Sequence, residues 1–376
     1  MDKQVLFVSH YAGRTGAPIV LLNHLAGLKK NYPDFEFDIL LKKDGEKKGE
    51  FENVAKTWLL PKITLSLRVK NKLSKPLNYY SNFLKSILKN NYKVIYGNTV
   101  DTISVLITAK TLDADLITVC HLHELEMAIK QFYGDENFKN AIPFIDRFVA
   151  TSGAVKEYLI DHYKIAPGKI YVHHGHIPLP GNIERKNIDN RFRVFGSGTM
   201  DWRKGIDLFI QAAYLLDKLN PATEFEFCWI GGQKDSLDYE KVVYDIKMFG
   251  IQHRVKLIPN CPNPWDYLVE ADLFLLTSRE DPFPLICLEA AALGKPMMCF
   301  KKAGGMADFV NEENGWLIDY LDVPQLADTL NGILHADNLK QILKVKGELS
   351  QVKAFEYDIE KGVKKWKSYL DEICSI

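Results

Sequence analysis

Short apolar runs alternate with amphipathic stretches along the whole chain. In the first half the runs read QVLFVSH from Gln4, FEFDILL from Phe35, KVIYGN from Lys93, DLITVCH from Asp115 and RFVATS from Arg147. Each is too short for a stable helix and rich in β-branched and aromatic residues, which predicts strands. Residues 18–30 and 154–163 between them carry helical spacing. In the second half the strands read FRVFGSG, FEFCWIGG, VKLIPN, DLFLLTS and PMMCF, with helices starting near Gly205, Leu237, Asn263 and Pro284. Buried strands alternating with helices predict parallel sheets covered on both faces.

Both halves restart alike. VLFVSHYAGRTGAPIVLLNHL and RVFGSGTMDWRKGIDLFIQAA are each a strand, a Gly-containing loop and an amphipathic helix. HIPLPGNIERKNIDNR between them is rich in Pro, Asn and charge, has no sustained period and reads as a linker. The expectation is two Rossmann-like α/β domains, at about residues 1–180 and 190–355. The closing segment 356–376, with Trp366 and Tyr369 at helical spacing, suits either domain and is assigned to the first.

Composition narrows the field without deciding it. The chain has 376 residues, 47% apolar and 26% charged, as in a soluble globular protein. Lysine plus arginine and aspartate plus glutamate both number 48, so no global charge invites nucleic acid. The six cysteines are scattered, lack a C-x-x-C pair and read as reduced core thiols. The N-terminus lacks the apolar length of a signal peptide and no run approaches a membrane span, which predicts a cytoplasmic protein. One local asymmetry stands out: from Lys62 to Val100 there are eight basic residues and no acid. Leu73, Leu77, Tyr80, Leu84 and Ile87 recur there at helical spacing among Lys70, Lys72, Lys75, Lys85 and Lys89. Such a helix suits either an anionic membrane surface, giving segment 62–93 a peripheral inner-face role, or docking on its own domain with a solvated lysine face.

Residues 284–293 form a helix that is apolar on every face except at Glu289. The pattern predicts burial all round, with Glu289 sharing the face of Leu285, Ile286, Ala292 and Leu293. A buried carboxylate needs a partner. Upstream, GSGTMDWRKG (Gly196 to Gly205) follows a strand and opens a helix, where loop N–H groups and a helix N-terminus hold phosphates in open parallel sheets. Four residues separate Gly198 from Arg203, so this is not the dinucleotide fingerprint; Arg203 and Lys204 are instead two cations at the helix mouth. A solvated basic turn is the competing reading.

In the first half, HYAGRTGAP is a second strand–loop–helix junction with Gly13 and Gly16, either a simple turn or a second ligand wall. CHLHELE ends a predicted buried strand, so His121 and His123 are expected at the ligand crevice, with Glu124 and Glu126 just beyond. Two histidines two apart suit a substrate or a metal, yet no third ligand has convincing spacing. HHGH (His173 to His176) is similar. DAD (Asp113 to Asp115) precedes a strand and reads as a turn.

Together these pieces resemble the family-4 glycosyltransferases, a large retaining group with the two-domain GT-B fold, most closely from Arg193 to Val310. The group's E-x(7)-E motif appears as Asp281 through Glu289 in DPFPLICLEAAALGKP, with the downstream A-x-x-x-G-K-P intact. The resemblance implies two Rossmann-like domains facing across a cleft and closing on a nucleotide sugar. It implies that Glu289 bonds the donor ribose hydroxyls, its missing partners, and that Asp281 contacts the donor sugar. Lys204 corresponds to the phosphate-binding lysine and His123 to the histidine near the reacting sugar. Gly13, Gly16 and Ala17 correspond to the N-terminal loop beside the pyrophosphate, with Gly198 in the facing turn.

The chain also departs from the pattern. The first acid is Asp281, one methylene short of Glu. Pro282 and Pro284 replace glycines and remove two N–H donors, leaving Phe283, Leu285 and Ile286 to supply amides. Thr199 stands where the group has a phosphate arginine, and Arg203 is the available substitute. The expected activity is retaining transfer from a UDP- or GDP-sugar to a glycan or lipid-linked saccharide in cell-surface polysaccharide synthesis. No divalent metal or other cofactor is expected. The alternatives are a nucleotide-sugar hydrolase or epimerase on the same fold, or a non-catalytic nucleotide-sugar-binding subunit.

Overall fold

The computed structural model describes residues 4–61, 77–181, 183–186, 189 and 191–375. The chain forms two compact units, Met1–Gly175 with Ile359–Ile376, and His176–Asp358.

The first unit is built on β1 (Val5–Ser9), β2 (Phe37–Leu41), β3 (Thr57–Leu59), β4 (Val94–Asn98), β5 (Ile117–Leu122), β6 (Arg147–Ala150) and β7 (Ile170–Val172). They pair in parallel in the order β3-β2-β1-β4-β5-β6-β7, with Val5 opposite Phe37 on one side and Val94 on the other. Alternation sets the two faces. Leu6, Val8, Leu40, Ile95 and Cys120 join one core, and Val5, Phe7, Phe37, Ile39 and Tyr96 the other. Onto the second face folds the helix Ile359–Cys374, through Val363, Trp366, Tyr369 and Leu370. Trp366 is buried against Phe7, Tyr96 and His24, with ring centroids 5.2–5.4 Å away. Gly27 of the helix Gly16–Asn31 lets this packing close, since a Cβ there would lie 2.5 Å from Val363 Cγ2.

The basic amphipathic segment is only partly visible: residues 62–76 lie outside the described residues. Of the helix Leu77–Leu88, Leu84 and Ile87 are buried in the first unit's core while Lys85 faces solvent. That part of the apolar stripe packs on its own domain. Among the described residues, no helix is long and apolar enough to cross a membrane.

The second unit contains β8 (Phe192–Ser197), β9 (Phe225–Ile230), β10 (Val255–Ile258), β11 (Leu273–Leu276), β12 (Met297–Phe300) and β13 (Gly315–Ile318). Their order is β10-β9-β8-β11-β12-β13, all parallel. Val194, Trp229, Leu275 and Met298 point to one core, and Phe195, Ile230, Phe274 and Cys299 to the other. In both sheets the strand order reverses beside the first strand of the unit. The reversal falls between β1 and β4, and again between β8 and β11. Loops leaving the carboxyl ends of such strands diverge there and open a crevice.

The helix Leu285–Ala292 corrects one expectation. Cys287, Leu288, Ala290, Ala291 and Ala292 are buried, but Leu285, Ile286, Glu289 and Leu293 are only half-buried. The alanine side is pressed into the core, and the helix Leu339–Ala354 approaches closely enough that a Cβ on Gly347 would meet Gly294 O at 2.1 Å. The Glu289 stripe is the one left partly open.

Candidate active site

The second unit's site grows from loops at the reversal. After β8 the chain turns through Gly198 (φ +152°) and enters the helix Ile206–Leu219 through Gly205 (φ +67°). A Cβ on Gly205 would stand 2.0 Å from the Thr277 carbonyl, and Thr277 Oγ1 donates to Gly205 O at 2.8 Å. The loop after β8 is thereby fastened to the end of β11. On the other side, Asp281 N donates to Ala303 O at 2.7 Å, and a Cβ on Gly304 (φ +137°) would come within 1.8 Å of Asp281 O. Three strand ends are therefore locked in backbone-to-backbone contact, which only glycine permits.

This clamp delivers a compact charged group. Lys204 Nζ donates to Asp281 Oδ2 at 2.5 Å, and Ser278 Oγ donates to the same oxygen at 3.2 Å. Both charged side chains are largely withdrawn from solvent, at 16% and 6% exposure. Arg203 stays beside them, its Nη1 donating to Glu280 O at 3.2 Å. Thr199 is engaged locally with the Asp201 carboxylate, which also accepts from Lys204 N at 3.1 Å. Phe283 is buried between Pro282 and Pro284. Leu285 and Ile286 open the following helix, where first-turn N–H groups have no intrahelical acceptor.

Glu289 lies one turn further on. Among the described residues no lysine or arginine forms an ion pair with it; its side chain receives a hydrogen bond from the Trp265 side chain. Burial raises its pKa from 4.5 to about 7, and the Trp265 bond offsets only part of that. A half-covered carboxylate held at such a cost suits ligand hydroxyls as donors.

The first unit's site occupies the corresponding position. The loop after β1 runs through His10, Tyr11, Ala12 and Gly13; a Cβ on Gly13 would collide with the Tyr11 ring at 1.9 Å, whereas at Gly16 it would meet nothing within 4 Å. The helix Gly16–Asn31 begins without a side-chain cap or an acid in its first turn. Ala17 O accepts from Asn98 Nδ2 at 2.9 Å, and Asn98 Oδ1 lies 2.7 Å from His123 Nε2. Next to Asn98, Thr99 has φ +87° and ψ +159°, a backbone geometry costing about 1–3 kcal/mol for a non-glycine residue. It is held by Thr99 N to His121 O at 2.8 Å and by Thr102 Oγ1 to Thr99 O at 2.7 Å.

His121 and His123 pack in a tilted pair, 4.2 Å between centroids and 37° between planes, but differ in setting. His121 is buried, its Nδ1 3.0 Å from Tyr96 OH, which itself accepts from Trp366 Nε1 at 3.2 Å. It is therefore an internal residue, not a crevice-facing one. His123 is half-buried, and burial, then the neighbouring His10 and His24, lowers its pKa to about 3. Glu124 turns back to accept from His123 N at 2.8 Å, and Glu126 pairs with Lys130 one turn along the same helix, Glu126–Phe132. In HHGH, His173 is a core residue with its Nε2 3.0 Å from His24 Nε2, and His174 Nδ1 contacts Thr151 O at 2.9 Å. Asp113 and Asp115 make a turn, closed by Asp115 N to Asp113 Oδ1 at 3.1 Å.

Sequence reasoning had not singled out Asn98, Ser278 or Trp265. Asn98 ends KVIYGN, so the strand-end rule that marked His121 and His123 applies to it equally. Ser278 likewise ends DLFLLTS. Trp265 has no such signal, because its link to Glu289 is purely tertiary.

Residues 182–349 match the family described as Glycosyl transferases group 1, and residues 8–179 match Glycosyltransferase Family 4. A D-inositol 3-phosphate glycosyltransferase of Catenulispora acidiphila is 26% identical over 208 residues, 50% of this chain and 49% of the relative. An alpha-galactosylglucosyldiacylglycerol synthase of Streptococcus pneumoniae is 32% identical over 118 residues, 29% of each chain. The matched stretches span less than two thirds of the length of such curated relatives. In fold, the chain matches Anabaena HepE, whose crystal structure holds UDP and glucose, with a TM-score of 0.79 and 20% identity over 98% of this chain and 99% of that one.

Proposed function

The chain belongs to the group 1 glycosyltransferases, its first half to glycosyltransferase family 4, and on that premise we propose that it is a retaining transferase using a nucleoside-diphosphate sugar. The observation that carries this reading is the Lys204–Asp281–Ser278 cluster at the carboxyl ends of β8 and β11, followed by Glu289 one turn into the next helix and without a lysine or arginine partner among the described residues. The donor base is uracil or guanine; the UDP and glucose bound by HepE favour the former.

Each role follows from the chemistry of the group. The leaving diphosphate gains negative charge as the glycosidic bond breaks, and Lys204, Arg203 and the amides of Phe283, Leu285 and Ile286 offset it. To do so Lys204 exchanges Asp281 for a phosphate oxygen, trading one charge-assisted bond for another of about 1.5–3 kcal/mol. Asp281, released, accepts from hydroxyls of the donor sugar beside Ser278. Glu289 accepts from the ribose hydroxyls. Gly198 and Thr199 border the diphosphate, and Gly13, Gly16 and Ala17 supply the small-residue loop on the first unit. His123 orients the reacting sugar. No side chain is assigned as a nucleophile: the leaving phosphate takes the acceptor's proton on the same face, and configuration is retained.

The acceptor is a glycan or lipid-linked saccharide of cell-surface polysaccharide synthesis, handled at the cytoplasmic membrane face; the diacylglycerol-linked product named for the pneumococcal relative supports a lipid-linked one. Lysine and arginine take the place of a divalent ion, so excess EDTA should leave the rate within about twofold. A thermal-shift screen of nucleotide sugars, followed by transfer of labelled sugar from the selected donor, tests the whole reading. Label in a saccharide supports transfer; label only in free sugar indicates a hydrolase; binding with no turnover indicates a non-catalytic subunit.

A further inference from the structure

The first unit contains a hydrogen-bond chain that fixes one proton. Asn98 is fully buried, and its Nδ2 donates to Ala17 O at 2.9 Å, which sets the orientation of the amide. Its Oδ1 is therefore the atom turned to His123 Nε2 at 2.7 Å, and an oxygen there accepts a proton. The amide itself is held in place by the unusual backbone of Thr99 and its bonds to His121 and Thr102. The His123 ring also packs against His121, at 4.2 Å between centroids and tilted by 37°, and His121 is anchored through Tyr96 to Trp366 of the C-terminal helix.

We propose that Asn98 is a positioning residue that locks His123 in the neutral tautomer protonated at Nε2, leaving Nδ1 to accept a hydrogen bond from a hydroxyl of the sugar substrate. A ring in that state offers no positive charge to a phosphate, so His123 serves the sugar and not the diphosphate. The substrate part rests on the glycosyltransferase reading; the tautomer does not. The titratable and charged groups around the ring are His121 by tilted ring contact, His10 and His24 through space, and Glu124 on the adjoining amide. His10 lies in turn near Asp101, Lys42 and Lys43. Burial and the two neighbouring imidazoles disfavour a second proton on His123.

The test is long-range proton–nitrogen NMR on the full chain labelled with ¹⁵N-histidine, with His123 assigned through a His123→Gln variant. The wild type should show a protonated Nε2 and bare Nδ1 throughout pH 5.5–8.5. In Asn98→Asp a carboxylate faces the same nitrogen and should bring a second proton within that range. The rate of UDP release from saturating UDP-glucose should then fall about tenfold per pH unit below the new pKa. A residue that merely braced Ala17 would give a loss independent of pH. An Nδ1-protonated or charged His123 in the wild type, or an Asn98→Asp spectrum like that of the wild type, would overturn the positioning role. The expected tautomer with no turnover of any nucleotide sugar would overturn the sugar role and the functional reading while leaving the lock in place.

Discussion

The two units place their polar groups at the same topological point and fill it with opposite chemistry. At the β1/β4 reversal the first unit collects the imidazoles of His10 and His123 and the Asn98 amide, and burial lowers the pKa of His123 to about 3. At the β8/β11 reversal the second unit places a lysine, an aspartate and an arginine with a lone carboxylate nearby. The strand order is shared, so fold alone does not explain the difference. On the proposed reading, what differs is the charge each site must meet. A neutral hydrogen-bonding site suits sugar hydroxyls, whereas a charged one suits a diphosphate and a ribose.

The largest expected effect breaks the charged site. Lys204→Ala alone would strand a buried Asp281, at a cost of about 3–5 kcal/mol, and so confuse stability with function. In Lys204→Met/Asp281→Asn both charges go together. That variant should unfold in urea within about 1.5 kcal/mol of the wild type yet lose about 10²–10³ in turnover. A double variant that keeps its activity would make the pair structural only.

Next come the glycines, which separate the two regions again. Gly205→Ala sets a methyl against the Thr277 carbonyl at φ +67°, and should destabilise by about 2–4 kcal/mol in urea unfolding. A smaller shift would mean that the β8 loop is not clamped as described.

Glu289 should act in the opposite direction on stability. Its folded-state pKa of about 7 exceeds the ordinary 4.5, so between those values the folded chain binds a proton that the unfolded chain has lost. Stability therefore falls as pH rises from about 4.5 to 7 and remains lower above that. Glu289→Gln removes the penalty and should stabilise the unliganded protein by about 1–3 kcal/mol at pH 8, with no difference below about pH 4.5. Thermal unfolding at the two pH values checks it, and an equal effect at both would contradict the burial argument.

The smallest stability effect belongs to Gly16→Ala, where the added methyl meets nothing. Unfolding should shift by no more than about 1 kcal/mol, towards greater stability, while donor turnover falls if Gly16 is there for ligand approach. Unchanged turnover would remove Gly16 from the site.

Much of this fold was legible because buried parallel strands are continuous apolar runs. VLFVS and LFLL announce β1 and β11 without any tertiary information. The strands not foreseen, β3, β7 and β13, all lie at sheet edges and are largely half-buried, so they lack the continuous buried run that marks a central strand. At the site, the pairing of Lys204 with Asp281 joins residues 77 apart in sequence, and no local pattern encodes it. The anomaly of Glu289 was visible as a charge among apolar residues, but the half-open stripe around it depends on how the alanine side packs. His121 misled because its spacing from His123 is that of a site residue; Tyr96 and Trp366, which draw it inside, come from distant segments.

The claim beneath all of this is that the Glu289 carboxylate exists to hold the nucleotide. Calorimetric titration of UDP-glucose, or of the nucleotide sugar chosen by the thermal-shift screen, from pH 5.5 to 8.5 tests it directly. In the wild type, affinity should tighten as pH rises towards about 7, where Glu289 ionises, and then level off. Glu289→Gln should bind more weakly and without that pH dependence. Equal affinity in the two proteins, with the same pH profile, would contradict it.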